Sequence, residues 1–269
     1  MDVPKAVLLG VIQGLTEFLP VSSSAHIILS QHILHSVPQG SLTFDVYAHF
    51  GSLLSVILVF RRDILAITKS LVQSIVHANI REAYRTDENA RMGWALVVAT
   101  IPAAAAGYWY HDLVKGVFMD PKFVAMNLVV SGLLLFLTKL ARPDEQKRVG
   151  MGSSILVGIA QAVSIFPGIS RSGATISTAL YAKLNPELAA RFSFLLAIPV
   201  ILGAVGLETR DVIQHGIDIG AWPIVAGVSA AAVTGYIAIR LLFDVLRHGW
   251  LSWFAVYCLA VGICAVIFL

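Results

Sequence analysis

Charged residues are scarce in this chain of 269 residues. Asp, Glu, Lys and Arg make up 13% of it, whereas a soluble domain carries roughly 25%. The net charge is only +3 and is not gathered in one segment, which argues against a nucleic-acid-binding protein. Hydrophobic residues reach 57% and the mean hydropathy is +0.80. The composition therefore predicts a membrane protein.

The chain also lacks the short alternating segments of an outer-membrane barrel, because its apolar runs are long and continuous. It has only two cysteines, Cys258 and Cys264, and their spacing places them on different helix faces, which disfavours a disulfide. A cleavable signal peptide is not expected, since Gln13, Glu17 and Pro20 interrupt the first apolar stretch. These absences leave an all-α integral membrane protein.

Six segments are long enough to cross a bilayer, which takes about 20 apolar residues. Two further apolar regions, 3–35 and 152–183, are each broken in the middle by proline and serine. Short helix, polar break and short helix is the pattern of a re-entrant hairpin. We therefore expect two re-entrant helical hairpins and six transmembrane helices, near 43–60, 92–111, 121–138, 188–208, 219–241 and 250–269.

Lysine and arginine set the expected orientation. They cluster in the 61–91, 139–151 and 240–249 connections, whereas 112–120 and 209–218 carry one each. By the positive-inside rule the first three connections are cytoplasmic, and both chain termini lie on the outer side. The hairpins then enter from opposite sides. The halves, about 1–140 and 150–269, are thus expected to form an inverted-topology repeat within a single membrane domain.

The two polar breaks, 13–26 and 161–175, resemble each other in sequence. Each begins with a glutamine that is followed, after eight residues, by a serine. Ionisable residues at membrane depth are costly to keep and mark functional sites by default. Because Glu17, His26 and Arg171 lie in these breaks, we expect one active site that is built from both.

The first break supplies a carboxylate, hydroxyls and an imidazole. Gln13 and Glu17 are one helical turn apart and share a face, where their oxygens suit a Mg²⁺ or Ca²⁺ that substrate phosphate also holds. Ser23 and His26 are a candidate nucleophile and base, or a base with a positioning hydroxyl. His26 itself, or a water that Glu17 or His26 activates, is the alternative nucleophile. One serine of the run 22–24 is also expected to cap the helix that follows.

The second break supplies a guanidinium. Arg171 follows Pro167 and Gly168, so we expect it at a helix N-terminus, where anions are favoured and its fork matches phosphate oxygens. A purely structural pairing with Glu17 is the alternative. The predicted substrate contacts are the polar residues of both breaks: Gln13, Ser22, Ser24, Ser170, Ser172 and Thr175.

These motifs resemble those of the undecaprenyl-pyrophosphate phosphatase family (UppP, also called BacA, bacitracin resistance protein). The resemblance covers essentially the whole chain. The family carries Glu or Gln at the first motif position, and Gln13 leaves Glu17 as the single carboxylate there. The motifs are Gln13-x-x-x-Glu17-Phe18-Leu19-Pro20-Val21-Ser22-Ser23-x-x-His26 and Pro167-Gly168-x-Ser170-Arg171-Ser172-x-x-Thr175.

The resemblance implies an enzyme of the bacterial inner membrane that removes the terminal phosphate from undecaprenyl pyrophosphate. Its product, undecaprenyl phosphate, is the recycled lipid carrier of peptidoglycan synthesis and cell-shape maintenance, and the activity confers bacitracin resistance. The implied cofactor is Mg²⁺ or Ca²⁺, and the site faces the periplasm, as do both termini. The partners are the polyprenyl pyrophosphate lipid and the bilayer, with a homodimer left open. The predicted catalytic residues are Glu17, Ser23, His26 and Arg171.

A polyprenyl-phosphate flippase is the alternative function, because inverted repeats with broken helices are also a transporter architecture. A flippase needs anion contacts but no nucleophile, so Ser23 beside His26 favours the enzyme. Asp45 and His49 are four residues apart, and two interpretations apply to them. They form either a pair that supports the site or a surface interaction.

Overall fold

A computed structural model describes residues 1–33, 42–109, 120–215 and 219–269. These residues form helices and short connections, with no β-strand among them. A 3₁₀ turn, Thr138–Leu140, extends the seventh helix. The helices are α1 Val3–Phe18, α2 Ser23–Ile33, α3 Leu42–Val59, α4 Arg61–Val76, α5 Ile80–Thr86, α6 Glu88–Trp109, α7 Pro121–Leu137, α8 Met151–Val163, α9 Arg171–Tyr181, α10 Pro186–His215, α11 Ala221–Arg247 and α12 Leu251–Phe268.

Five of these helices, α6, α7, α10, α11 and α12, are long and apolar enough to cross a membrane. They coincide with five of the six predicted segments. The sixth segment, 43–60, forms the shorter apolar helix α3. The all-helical, multi-pass membrane fold is therefore confirmed, and the count of six spans stays a prediction.

The 61–91 connection is mostly helical. α4 begins directly after α3 ends, and α5 follows within the same connection. Neither glycine nor proline occurs in α4, and seven of its 16 residues are strong helix formers. Its arginines Arg61 and Arg62 are exposed, whereas Asp63 pairs with Arg191 of α10. Part of the positive charge from which the orientation is predicted thus lies on the surface of α4.

The two broken apolar regions fold, as predicted, into short helices separated by non-helical chain. Residues 19–22 separate α1 from α2, and residues 164–170 separate α8 from α9. A positive φ turns the chain in each break, 67° at Ser22 and 92° at Gly168. Glycine adopts this conformation without strain. Gly168 also has no room for a side chain, since a Cβ there would lie 2.2 Å from the carbonyl oxygen of Val124.

The first helix of each broken pair packs against a helix of the other half, α1 against α11 and α8 against α6. Glycines allow both contacts. A Cβ on Gly10 would lie 2.3 Å from the carbonyl oxygen of Gly227, and one on Gly158 would lie 2.5 Å from that of Ala99. Small residues let helix backbones approach closely in a membrane, where packing rather than water drives association. Because α1 and α8 each pack against a helix of the other half, the two breaks lie next to each other.

Aromatic side chains fix the end of α1 beside α10. Phe18, the last residue of α1, meets Phe194 edge-on with ring centroids 5.4 Å apart. Phe194 also contacts Phe60 at 6.1 Å and Phe243 at 6.0 Å. Phe18 and Phe194 are fully buried, and edge-to-face pairs of this kind add to the stability that burial provides. The cluster therefore holds the start of the first break in place.

Candidate active site

A cavity of about 330 Å³ lies where the two breaks meet. Part of its wall is apolar and includes Ile27, Ile28, Val200, Ile201, Ala204 and Val205, from α2 and α10. The rest of the lining comes from both breaks, α3, α6 and α8, and includes the apolar residues Val46, Ala103, Ile165, Pro167 and Ile169 beside the polar ones. Its polar residues are Glu17, Ser22, Ser23, Ser24, Asp45, His49, Gln161, Ser164, Ser170 and Arg171.

Glu17 is the centre of the polar wall, because four side chains direct donors at its carboxylate. Its Oε2 accepts from Gln13 Nε2 at 2.9 Å and from Ser23 Oγ at 2.6 Å, and His49 Nε2 lies 3.3 Å away. Its Oε1 accepts from Arg171 Nη2 at 2.6 Å. The Glu17 side chain is only 6% exposed, so protein donors replace water in stabilising the charge.

Arg171 occupies the first position of α9, which confirms the predicted helix N-terminus. Ser170 caps this helix, since its Oγ accepts from the Gly173 amide at 3.0 Å. Besides Glu17, the guanidinium donates to the Ser193 carbonyl at 3.4 Å. Two of the five N–H groups of an arginine are used in these contacts. The others can meet an anion that enters the cavity.

The two breaks are joined by direct hydrogen bonds. The Gly168 amide donates to Ser24 Oγ at 3.2 Å, and Ser172 Oγ donates to the Leu19 carbonyl at 3.2 Å. Ser172, predicted as a substrate contact, is buried and holds the backbone of the first break instead. The expectation that the breaks meet is confirmed, but Ser172 does not line the cavity.

Ser23 and His26 lie on the same short helix but have different surroundings. Ser23 donates to Glu17, whereas His26 Nδ1 donates to the Ser22 carbonyl at 2.8 Å and its Nε2 lies 2.7 Å from the Tyr257 hydroxyl. The rings of His26 and Tyr257 are also nearly parallel, with 9° between their planes. The predicted Ser23–His26 pair is not formed, because Ser23 donates to Glu17 and His26 contacts Tyr257 of α12, although their spacing would allow them to meet.

Two predicted substrate contacts, Gln13 and Thr175, lie behind the cavity wall. Both are fully buried. Gln13 uses its amide to hold Glu17, and Thr175 Oγ1 lies 2.6 Å from Ser193 Oγ and 2.7 Å from the Arg171 carbonyl, to which it donates. They support the charged pair rather than face the cavity. The predicted contacts that do line it are Ser22, Ser24 and Ser170.

His49 is a site residue that sequence reasoning left unresolved. Its Nδ1 donates to the Asp45 carbonyl at 2.7 Å, and its Nε2 faces Glu17. Both ring nitrogens therefore face oxygen acceptors, an arrangement that suits the imidazolium form. The spacing of Asp45 and His49 placed both on one face of α3 but could not show that Glu17 lies opposite. Both residues line the cavity, so they lie at the site rather than at the surface, and His49 contacts the Asp45 carbonyl rather than its carboxylate.

The family comparison agrees with this geometry. Residues 6–264 match the model of a family described as bacitracin resistance protein BacA. The chain belongs to this family. Relatives named undecaprenyl-diphosphatase include one from Methanobrevibacter smithii, 39% identical over 98% of this chain and 96% of the relative. Others, from Alkaliphilus metalliredigens and Korarchaeum cryptofilum, are 38% and 39% identical, each over 98% of both chains. The resemblance first drawn from the motifs is thereby confirmed.

The cation ligands predicted for this BacA-family chain differ from those that the geometry favours. Gln13 Oε1 has no hydrogen-bond partner, but Gln13 is not part of the cavity lining. Among the described residues, no group of three or more His, Cys, Asp and Glu side chains is arranged for a metal ion. The lining does contain two carboxylates, Glu17 and Asp45, and Asp45 Oδ1 is without a partner. These two fit a hard cation that substrate oxygens also ligate.

Proposed function

We propose that this BacA-family protein hydrolyses undecaprenyl pyrophosphate to undecaprenyl phosphate and inorganic phosphate. The observation that carries the proposal is the mixed lining of the cavity, in which Arg171 and Glu17 occur together with isoleucine and valine side chains of α2 and α10. An isoprenoid lipid with a pyrophosphate head combines the same two kinds of surface. The relatives reported above are named for this activity.

Arg171 binds the terminal phosphate in this proposal. A protein accelerates phosphoryl transfer mainly by positioning the reactants and by neutralising charge on the equatorial oxygens. The Arg171 guanidinium lies at the N-terminus of α9, where the helix dipole adds to its attraction for an anion. As phosphate oxygens replace the Glu17 carboxylate at the guanidinium, Glu17 Oε1 is released.

Ser23 is the nucleophile and Glu17 its base, because the Ser23 hydroxyl already donates to Glu17 Oε2 at 2.6 Å. The proton passes to Glu17 as Ser23 Oγ bonds to the terminal phosphorus and the bond from that phosphorus to the bridging oxygen breaks. Undecaprenyl phosphate leaves. Water then cleaves the phosphoserine, which releases inorganic phosphate and restores the hydroxyl. His26 takes no step here, and its predicted catalytic role stays a prediction.

A divalent cation, Mg²⁺ or Ca²⁺, is part of the proposal. When bound, it neutralises charge on the pyrophosphate and on the leaving group. Glu17 and Asp45 are the residues that would hold it, together with substrate oxygens. This pair replaces the predicted combination of Glu17 and Gln13.

The membrane arrangement that we propose has six spans, two re-entrant hairpins and halves at about 1–140 and 150–269. Gly10 and Gln13 of α1 recur in α8 as Gly158 and Gln161 with the same spacing, and both glycines sit against the other half. These features support an inverted repeat. The family resemblance supports a location in the bacterial inner membrane, and charge placement supports a site that opens to the periplasm. A homodimer is not required, since one chain supplies both walls.

The test is phosphate release from undecaprenyl pyrophosphate by the purified protein in detergent, with and without EDTA. We expect release that EDTA abolishes and added Mg²⁺ or Ca²⁺ restores. Arg171→Lys is the matched variant, because it keeps the charge but loses the fork that holds two phosphate oxygens, so its activity should be badly impaired. Micelles have no two leaflets, so release cannot be flipping. A wild-type protein that binds the lipid without releasing phosphate would instead favour the flippase.

A further inference from the structure

Gln161 is a buried amide that lacks hydrogen-bond partners. It lies in the last turn of α8, is 2% exposed, and has no partner for either Nε2 or Oε1 within the described residues. A buried polar group left unpaired is costly, so each one calls for an explanation. Gln161 lines the same cavity as Arg171 and Glu17. The missing partner can therefore come from whatever occupies the cavity.

The corresponding residue of the first hairpin, Gln13, shows how such an amide is ordinarily satisfied. Gln13 Nε2 donates to the Glu17 carboxylate one turn further along the chain. The residue one turn after Gln161 is Ile165, whose side chain accepts no hydrogen bond. Ser164 lies nearer but donates to the Gln161 carbonyl, not to its side chain. The second hairpin thus has the amide without the carboxylate.

Apart from Arg171, the other polar groups on the lining are less suited to receive an anion. Asp45 has a free oxygen, but a carboxylate repels phosphate unless a cation lies between them. Gln161 is neutral and offers two N–H donors. The remaining polar side chains of the lining already contact other described residues: Glu17, Ser22, Ser23, Ser24, His49, Ser164, Ser170 and Arg171.

We propose that the Gln161 amide binds a phosphoryl oxygen of the pyrophosphate head. This inference rests on the proposed function. It adds Gln161, which lies in α8 at the start of the second break, to the substrate-binding residues. Nε2 donates to the phosphoryl oxygen, while Oε1 accepts from water or from a protonated phosphate oxygen. Arg171 and Gln161 then hold the head from two elements of the second half, and Glu17 and Ser23 face it from the first.

The experiment compares wild type, Gln161→Leu and Gln161→Glu in detergent. It measures kcat and KM for undecaprenyl pyrophosphate, binding of methylenediphosphonate as a non-hydrolysable probe, and the unfolding temperature. We expect Gln161→Leu to weaken probe binding and kcat/KM by about 10- to 150-fold, the effect of one lost hydrogen bond to a charged group. Gln161→Glu should lose more, because it adds a negative charge. Gln161→Leu should unfold at the wild-type temperature or above, since it removes unpaired polar atoms.

Ser177→Ala is the control variant, because Ser177 Oγ is also buried without a partner but is not part of the cavity lining. Its kinetics should match those of wild type. Unchanged probe binding and kcat/KM in Gln161→Leu, beside an active wild type, would overturn the assignment of Gln161 and leave the proposed function standing. So would a fall in unfolding temperature that accounts for the lost activity of both Gln161 variants. An inactive wild type would overturn the proposed function, and this inference with it.

Discussion

Replacing Glu17 by Gln removes the charge that four donors share while keeping the shape of the side chain. Arg171, whose side chain is 16% exposed, would face a neutral amide, and His49 would lose its ion pair. Removing one partner of a buried pair costs about 3–5 kcal/mol, because the other charge stays buried and unpaired. We expect Glu17→Gln to lower the free energy of unfolding by about this amount.

A second substitution separates this effect from a simple loss of contacts. In Glu17→Gln with Arg171→Met, both charges of the pair are gone, so no unpaired guanidinium remains. The double variant should therefore be more stable than the Glu17→Gln single variant, and the two effects should be strongly non-additive. Phosphate release should be lost in the single and double variants alike, because the proposal places both residues at the reacting phosphate.

Thermal unfolding of the purified proteins in detergent measures the effect. A loss of about 3–5 kcal/mol corresponds to a shift of roughly 6–20 °C for a chain of this size. Glu187→Gln is the control, because Glu187 and Arg247 lie 3.9 Å apart with side chains 64% and 68% exposed. An exposed pair contributes only about 0–1 kcal/mol. The reasoning is refuted if Glu17→Gln unfolds close to Glu187→Gln, or if the double variant is merely additive.

Two further predictions concern the nucleophile and the helix contacts. Ser23→Ala should lower kcat by roughly 10²–10⁴-fold or more if its hydroxyl attacks and Glu17 takes the proton; phosphate-release assays check this, and undiminished turnover contradicts it. Gly158→Leu should destabilise the fold by about 1–3 kcal/mol or more, because a side chain there meets the Ala99 carbonyl. Gly152→Leu in the same helix is its control, since a Cβ there meets nothing within 4 Å, and equal unfolding temperatures would contradict the prediction.

Local patterns predicted the parts of the structure that depend on neighbouring residues. Long apolar runs and the proline–serine interruptions gave the helices and the two breaks. Pro167 and Gly168 predicted the helix N-terminus at Arg171, because residues that interrupt a helix act on the chain next to them. The pairing of Arg171 with Glu17 was foreseen as an alternative, since a buried guanidinium needs a carboxylate and few are available.

The side-chain partners within the site depend on how the helices pack, and spacing alone did not determine them. Ser23 and His26 have a spacing that suits a hydrogen-bonded pair, but the His26 imidazole contacts the Tyr257 hydroxyl of α12 instead. Thr175 has a spacing from Arg171 that suits a phosphate contact, but its hydroxyl contacts the Ser193 hydroxyl of α10 instead. His49 reaches Glu17 only because α3 lies beside the first hairpin. In each case the deciding neighbour is distant in sequence.

The ion pair between Glu17 and Arg171 joins residues 154 positions apart, which has a consequence for biosynthesis. A ribosome adds about 5–20 residues per second, so Arg171 is synthesised roughly 8–30 s after Glu17. During this interval Glu17 has Gln13, Ser23 and His49 as partners but not the guanidinium, which disfavours its burial in a membrane. We therefore expect the nascent chain to keep Glu17 near water until α8 and α9 emerge. The active site is then completed at the same late step as membrane insertion, after α8 and α9 have been synthesised.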